Sequence, residues 1–140
     1  MNKGFSLLET VLSLFLIGVL IGLSSLSFLD KPPRYKLKRA VWEVNSRMNL
    51  ARYKSIFENT KFRIKFSESG YKMEKYNEEK KMWIMEAKKT LDGVNITATN
   101  SPIFHPLGTV SNLTSVYISN TSGKYRISLA ISGRIKIIPM

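Results

Sequence analysis

Two groups of residues in this 140-residue chain have the types and spacing to do chemistry. The first centres on Glu9, in the stretch Lys3-Gly4-Phe5-Ser6-Leu7-Leu8-Glu9. No residue from Thr10 to Leu29 is charged, so Glu9 stands at the edge of a long apolar run. A carboxylate inside hydrocarbon costs on the order of 2.5–3.5 kcal/mol, so it needs a partner or a place at headgroup level near water. The second group is Lys124, Arg126, Arg134 and Lys136, the last four Lys or Arg residues of the chain. Arg134 and Lys136 are two apart, which on a strand puts them on one side about 7 Å from each other. That is near the phosphate spacing along one nucleic-acid strand. The alternative is a set of ordinary solvated charges. Both groups have the chemistry of ion pairing, and neither makes or breaks bonds.

Other chemistry is poorly provided for. The chain has no Cys, hence no disulfide and no thiolate metal site. His105 is the single histidine and lies beside Pro106, a structural or exposed position. There is no G-x-S-x-G elbow, no H-E-x-x-H pair and no phosphate loop; Gly123-Lys124 is followed by Tyr. Glu78-Glu79 are flanked by Lys80-Lys81 and read as a solvated turn. The expectation is a protein without cofactor or metal that is not an enzyme.

The element that must carry Glu9 is a helix. Twenty uncharged positions from Thr10 to Leu29 make about 30 Å of helix, the thickness of a bilayer core. A secretory signal peptide is the competing reading, with Ser25-Leu26-Ser27 as a small-residue cut site, but it leaves Glu9 unexplained. An ordinary single-pass anchor meets another difficulty. Lys31, Arg34, Lys36, Lys38 and Arg39 follow the run whereas only Lys3 precedes it, which by the positive-inside rule would hold the C-terminal part in the cytoplasm.

The N-terminal residues resemble the recognition site of type IV prepilins and of the pseudopilins of type II secretion. The resemblance implies cleavage between Gly4 and Phe5 by a prepilin peptidase and N-methylation of Phe5. It places Glu9 fifth in the mature chain, where it would neutralise the terminal amine of a neighbouring subunit in a filament. Pairing of that kind offsets the burial cost of both charges. A glycine before the cut suits a protease, since a residue without a side chain enters a tight site. The resemblance also implies a bacterial cytoplasmic-membrane protein with a cytoplasmic N-terminus and its C-terminal domain outside, against the positive-inside count.

The net charge is +12 and is unevenly distributed. Residues 31–89 hold 17 Lys and Arg against 7 Asp and Glu, and residues 90–140 hold 4 against 1. Such an excess favours anionic lipid, nucleic acid or an acidic protein without choosing among them.

After the apolar run, Pro32-Pro33 ends or kinks the helix. Leu37, Val41, Val44, Met48 and Ala51 then recur at steps of four and three, the core face of a second helix; Trp42 lies off that stripe. From Lys61 the period becomes two. Phe62, Ile64 and Phe66 mark one strand, Tyr71–Glu74 a second and Met82–Met85 a third, together a meander, with Lys88 and Lys89 in the next loop. Val94–Ala98, Val116–Ser119, Tyr125–Ile131 and Ile135–Ile138 read as further strands, and Ile103-Phe104 as a short apolar piece in a proline-bearing loop. Matching the apolar faces of the last two strands puts Ile131 opposite Ile135 and Leu129 opposite Ile137, with Ser132-Gly133-Arg134 as the loop.

Phe104-His105-Pro106-Leu107-Gly108, Tyr125-Arg126-Ile127 and Gly133-Arg134-Ile135-Lys136 resemble the C-terminal pattern of the GspH/FimT group of minor pseudopilins. Lys136 stands where that pattern often has Arg, which removes one bidentate phosphate fork. The expected fold is α+β: a long hydrophobic N-terminal helix continuing into an amphipathic helix packed on antiparallel sheet. The expected organisation is a leader at 1–4, an assembly helix at 5–30, an amphipathic helix region at 31–60 and a β-sheet head at 61–140, the last two forming one domain. Two roles follow. One is a minor pseudopilin that starts or caps a pilus or secretion filament alongside other pilin subunits. The other is a DNA-uptake minor pilin gripping the DNA backbone, without sequence preference, through Lys124, Arg126, Arg134 and Lys136.

Overall fold

The computed structural model describes residues 6–25 and 32–140, with the side chains of 23–25 outside that description. The chain divides into two compact units, Met1–Lys31 and Pro32–Met140. The first holds helix α1, Leu7–Ser25. Its hydroxyls fold back on its own backbone: Thr10 Oγ1 donates to the Ser6 carbonyl at 3.1 Å and Ser13 Oγ to that of Glu9 at 2.8 Å. These two hydroxyls are thereby satisfied within the helix. Among the described residues no helix is long and apolar enough to cross a membrane. The uncharged run continues in sequence to Leu29, beyond the described part.

The second unit starts with helix α2, Pro33–Phe57. Pro33 occupies the first turn, where a missing N–H costs nothing, and the Pro32 carbonyl accepts from Tyr35 and Lys36. At the other end Asn59 takes a left-handed φ of 48° and the Thr60 N–H returns to the Ser55 carbonyl, which stops the helix. Leu37, Val41, Val44, Met48 and Ala51 are all buried, as their spacing predicts, and Ala40 and Ser55 join them. Trp42, off the stripe, is exposed.

α2 packs on two antiparallel sheets. The first has the order β3-β2-β1-β5-β6, made of β1 (Phe62–Ser67), β2 (Gly70–Asn77), β3 (Met82–Thr90), β5 (Ile103–Phe104) and β6 (Val110–Ser111). The second has the order β4-β7-β8-β9, made of β4 (Asn95–Ala98), β7 (Ser115–Asn120), β8 (Gly123–Leu129) and β9 (Ile135–Pro139). The expected meander is β1-β2-β3. Phe62 and Phe104, opposite each other across β1 and β5, are both fully buried with Ile64, Tyr71 and Met73. The second sheet contributes Ile96, Val116, Ile118, Ile127 and Leu129 to the same core.

Three expectations change. Lys88 and Lys89 lie in β3 rather than in a loop. β3 is an edge strand, and its register against β2 jumps from Met73–Ala87 to Glu74–Met85, leaving Glu86 as a bulged residue. Met82, Ile84 and Met85 of this strand are exposed. Bulge and lysines are means by which an edge resists further pairing. Ile131 is exposed and outside β8, and the last hairpin pairs Leu129 with Ile135 and Ile127 with Ile137. This is two residues from the expected register. A slip of two leaves every side chain on its face, so apolar alternation cannot detect it. The five-residue loop is set by other contacts. Gly133 adopts φ 77°, its N–H donates to the Ala130 carbonyl, and the Ile131 carbonyl accepts from Val110 of β6.

Candidate functional site

Alternation in the four-stranded sheet puts Val116, Ile118, Ile127 and Leu129 toward α2. Tyr117, Ser119, Lys124, Arg126, Ser128 and Lys136 consequently take the opposite face. Across β7–β8, Tyr117 is opposite Arg126 and Ser119 opposite Lys124; across β8–β9, Ser128 is opposite Lys136, so Arg126 is diagonal to Lys136. Arg134 precedes β9 and belongs to the loop, yet its carbonyl accepts the Ala130 N–H and extends the ladder by one step. It therefore stays in phase with Lys136. All four cations singled out in the sequence share one sheet face.

That face is uncompensated. No Asp or Glu occurs from Gly93 to Met140, and none of the four cations makes an ion pair among the described residues. Lys124 Nζ lies 4.9 Å from the centre of the Tyr117 ring, an attraction that leaves the charge intact. Lys124, Arg134 and Lys136 are exposed, whereas Arg126 is half-buried with its Nε enclosed and lacking a hydrogen-bond partner. That Nε thus bears a desolvation cost that no hydrogen bond among the described residues offsets.

The other sheet and the adjoining side of α2 show the opposite condition. Glu74 accepts from Arg63 Nε at 2.8 Å and lies 3.4 Å from Lys65. Glu58 takes Lys75 at 2.7 Å and Lys54 at 3.4 Å, and Lys54 also reaches the bulged Glu86. Glu43 lies 2.8 Å from Lys89 and accepts the Tyr71 hydroxyl at 2.7 Å, while Arg47 Nε donates to that hydroxyl at 2.9 Å. Burial alone would raise the pKa of Glu43, but the hydrogen bonds from Lys89 and Tyr71 outweigh it and hold the carboxyl below its usual value. The hydrogen bond from Lys75, opposed by burial and aided by Lys54, does the same for Glu58. Burial, reinforced by the hydrogen bond to Glu43, pushes the Tyr71 hydroxyl up to about 12.

The glycines of the C-terminal pattern have a structural use. Gly108 (φ 78°) and Gly133 (φ 77°) are both left-handed, and both lie against Arg52 of α2, whose Nε donates to the Gly108 carbonyl at 3.3 Å. A Cβ on Gly133 would come 2.6 Å from Arg52 Nε. No spacing in the sequence marks Arg52, because its partners are brought to it by two separate loops. His105 Nε2 lies 2.7 Å from Ser111 Oγ, and its backbone carbonyl accepts from Ser55 Oγ at 3.1 Å. The His–Ser pair has no third group to orient the ring among the described residues, so its geometry is that of a loop tie.

At the N-terminus, Gly4 and Phe5 lie outside the described residues. Glu9 falls in the first turn of α1, where unpaired N–H groups favour a negative charge. It makes no ion pair among the described residues.

At the level of sequence, no family model matches the chain, and no curated protein does. In structure, the minor pseudopilin EpsH from the type 2 secretion system of Vibrio cholerae aligns with a TM-score of 0.64 at 12% identity, covering 74% of this chain and 97% of that one. The fold is that of a minor pseudopilin. The type IV minor pilin FimU of Pseudomonas aeruginosa shares it, with a TM-score of 0.62 at 17% identity over 76% of this chain and 90% of that one. At 12% and 17% identity these likenesses are of fold.

Proposed function

We propose that this chain is a minor pseudopilin-type subunit, a structural protein rather than an enzyme, that starts or caps assembly of a pilus or secretion filament. The observation that carries this is the minor-pilin fold in a chain that opens with Lys3-Gly4-Phe5 and Glu9 before an apolar run. On this reading a prepilin peptidase cuts between Gly4 and Phe5, and the new amine of Phe5 is methylated. Residues 5–30 anchor the subunit in the bacterial cytoplasmic membrane, with the sheet-bearing domain outside. In the filament Glu9 pairs with the amine of a neighbouring pilin subunit. The test is the mass of the mature N-terminus together with the behaviour of Glu9→Gln. We expect a chain starting at Phe5, and a Glu9→Gln variant that is cleaved yet poorly incorporated. A chain still starting at Met1, or normal incorporation of the variant, would overturn this reading.

A second reading has its own support in the acid-free sheet face and the unpartnered Nε of Arg126. Here the subunit serves DNA uptake and grips the phosphate backbone through Lys124, Arg126, Arg134 and Lys136. Duplex binding should then weaken steeply with salt, and Arg134→Ala and Lys136→Ala should each lower the salt slope by about one. Unchanged affinity and slope in the double variant would exclude this face as the DNA site.

A further inference from the structure

The two sheets have four outer edges, at β3, β4, β6 and β9. Three of them are interrupted or already bonded. The bulge at Glu86 breaks the ladder of β3. On β4 the outward N–H of Ile96 donates to the Glu68 carbonyl at 2.8 Å, and on β6 that of Val110 donates to the Ile131 carbonyl at 2.9 Å. β9 differs. It pairs with β8 in one unbroken register. The Ala130 N–H donates to the Arg134 carbonyl at one end of the ladder, and the Met140 N–H to the Lys124 carbonyl at the other. This phase turns the backbone groups of Arg134, Lys136, Ile138 and Met140 toward β8. Ile135 and Ile137 turn N–H and C=O away from it, where no backbone group among the described residues meets them. Pro139 follows in the same phase and has only a carbonyl to offer.

We propose that this edge takes an extended segment of another protein as a fifth strand, and that the segment carries acidic residues at alternate positions with apolar residues between them. A peptide backbone supplies both the donors and the acceptors that Ile135 and Ile137 can use. The phosphate backbone of DNA has no donor for their carbonyls. The side chains beside the edge then select the segment. On one face its residues would lie next to Arg134 and Lys136, and no Asp or Glu from Gly93 to Met140 competes for them. On the other face they would lie next to Ile135 and Ile137, which pack partly buried against the core. Opposite charges on neighbouring strands attract, and like charges directly opposite repel. A second copy of β9 is thereby disfavoured in each register that pairs the outward groups. Ile135 against Ile137 would set the two Lys136 side chains directly opposite, and Ile135 against Ile135 would set Arg134 opposite Lys136. Ile137 against Ile137 would set Ile135 against Pro139, which lacks the N–H. Lysine and proline thus guard the edge against its own kind and leave it open to an acidic strand.

The test uses the full chain in a neutral detergent and two synthetic peptides, one alternating Glu with Val and the other Lys with Val. Amide hydrogen exchange is followed by NMR. The Glu–Val peptide should slow exchange at Ile135 and Ile137 about tenfold, while Lys136 and Ile138, already bonded to β8, change little. The Lys–Val peptide should protect neither. Ile137→Pro removes an outward N–H without touching a bond to β8 and should weaken binding about tenfold. Because that change also alters a partly buried side chain, Arg134→Glu with Lys136→Glu, both at exposed positions, supplies a second variant. It should reverse the preference, so that the Lys–Val peptide protects the two amides. Binding of the Glu–Val peptide that leaves Ile135 and Ile137 unprotected would reduce it to attraction by the cationic face and overturn edge pairing. Equal protection by both peptides would overturn the acidic partner. Protection of the same amides by raising the protein concentration alone would make a second copy the occupant and overturn the proposal. So would absence of Glu–Val binding, and duplex DNA bound in its place would give the face to nucleic acid.

Discussion

In the five-stranded sheet, Arg63 and Lys65 stand beside Glu74, and Lys75 beside Glu58. In the four-stranded sheet, Lys124, Arg126 and Lys136 stand among Tyr117, Ser119 and Ser128. Both sheets are antiparallel, and both press their apolar faces on α2. The first spends its charges on itself, fastening β1 to β2 and α2 to β2 and β3. The second leaves its charges unanswered, with Arg126 partly desolvated as well. A cation with a nearby carboxylate contributes to the fold, whereas an exposed cation without one is left to water. The contrast is one of paired and unpaired charge within one small domain.

The largest effect should come from the neutralised side. Tyr71→Phe removes the hydroxyl shared by Glu43 and Arg47 and should cost about 1.5–3 kcal/mol, the range for a hydrogen bond to a charged group. Urea unfolding of the Pro32–Met140 unit reads it directly. That unit carries every described buried apolar side chain and so has its own core. A change within 0.5 kcal/mol, roughly the scatter of neutral surface substitutions, would break the claim that this sheet uses its charges for stability.

Gly133→Ala should follow, at about 1–2 kcal/mol for a Cβ in the left-handed region, with Arg52 displaced as well. Because this loop presents Arg134, a crystal structure of the variant should show that side chain moved while Glu43 and Glu74 keep their partners. An unmoved loop would mean that Arg52 does not position it.

Acid gives a contrast without mutation. The folded-state pKa values of Glu43 and Glu58 are lowered, so their stabilisation is present above the ordinary value of 4.5 and is lost as pH falls below it through the folded values. Acid should loosen α2 from β2 and β3 before it disturbs the β8–β9 ladder, as amide exchange at pH 3–5 would reveal. Simultaneous loss of both would show that the two regions unfold as one.

The smallest effects belong to the uncompensated face. Replacing Arg134 and Lys136 by Gln should change stability by less than about 0.5 kcal/mol. Ser128→Glu, which places a carboxylate directly opposite Lys136, should raise stability by about 0.2–1 kcal/mol while weakening any binding of anions to this face. A loss of stability in Ser128→Glu would show that the face is not an unpaired cationic surface.

Local repetition determined much of this protein in its sequence. The steps of four and three from Leu37 to Ala51 place one stripe of α2 in the core, and the period of two from Phe62 onward assigns each strand its faces. The apolar run and the position of Glu9 are likewise local. Residues far apart in the chain were settled only by tertiary structure. Phe104 pairs with Phe62, forty-two positions earlier, because a two-residue strand carries no periodicity and is ordered by the partner it meets. The last hairpin lies two residues from the register that apolar matching selects, since a shift of two is invisible to alternation and is decided by Gly133, Arg52 and the Ile131 carbonyl. The same holds for charge. The sequence shows where cations are frequent, but whether each meets a carboxylate depends on which strands become neighbours. Only the tertiary arrangement gave Lys89 its Glu43 and enclosed the Arg126 Nε without a hydrogen-bond partner.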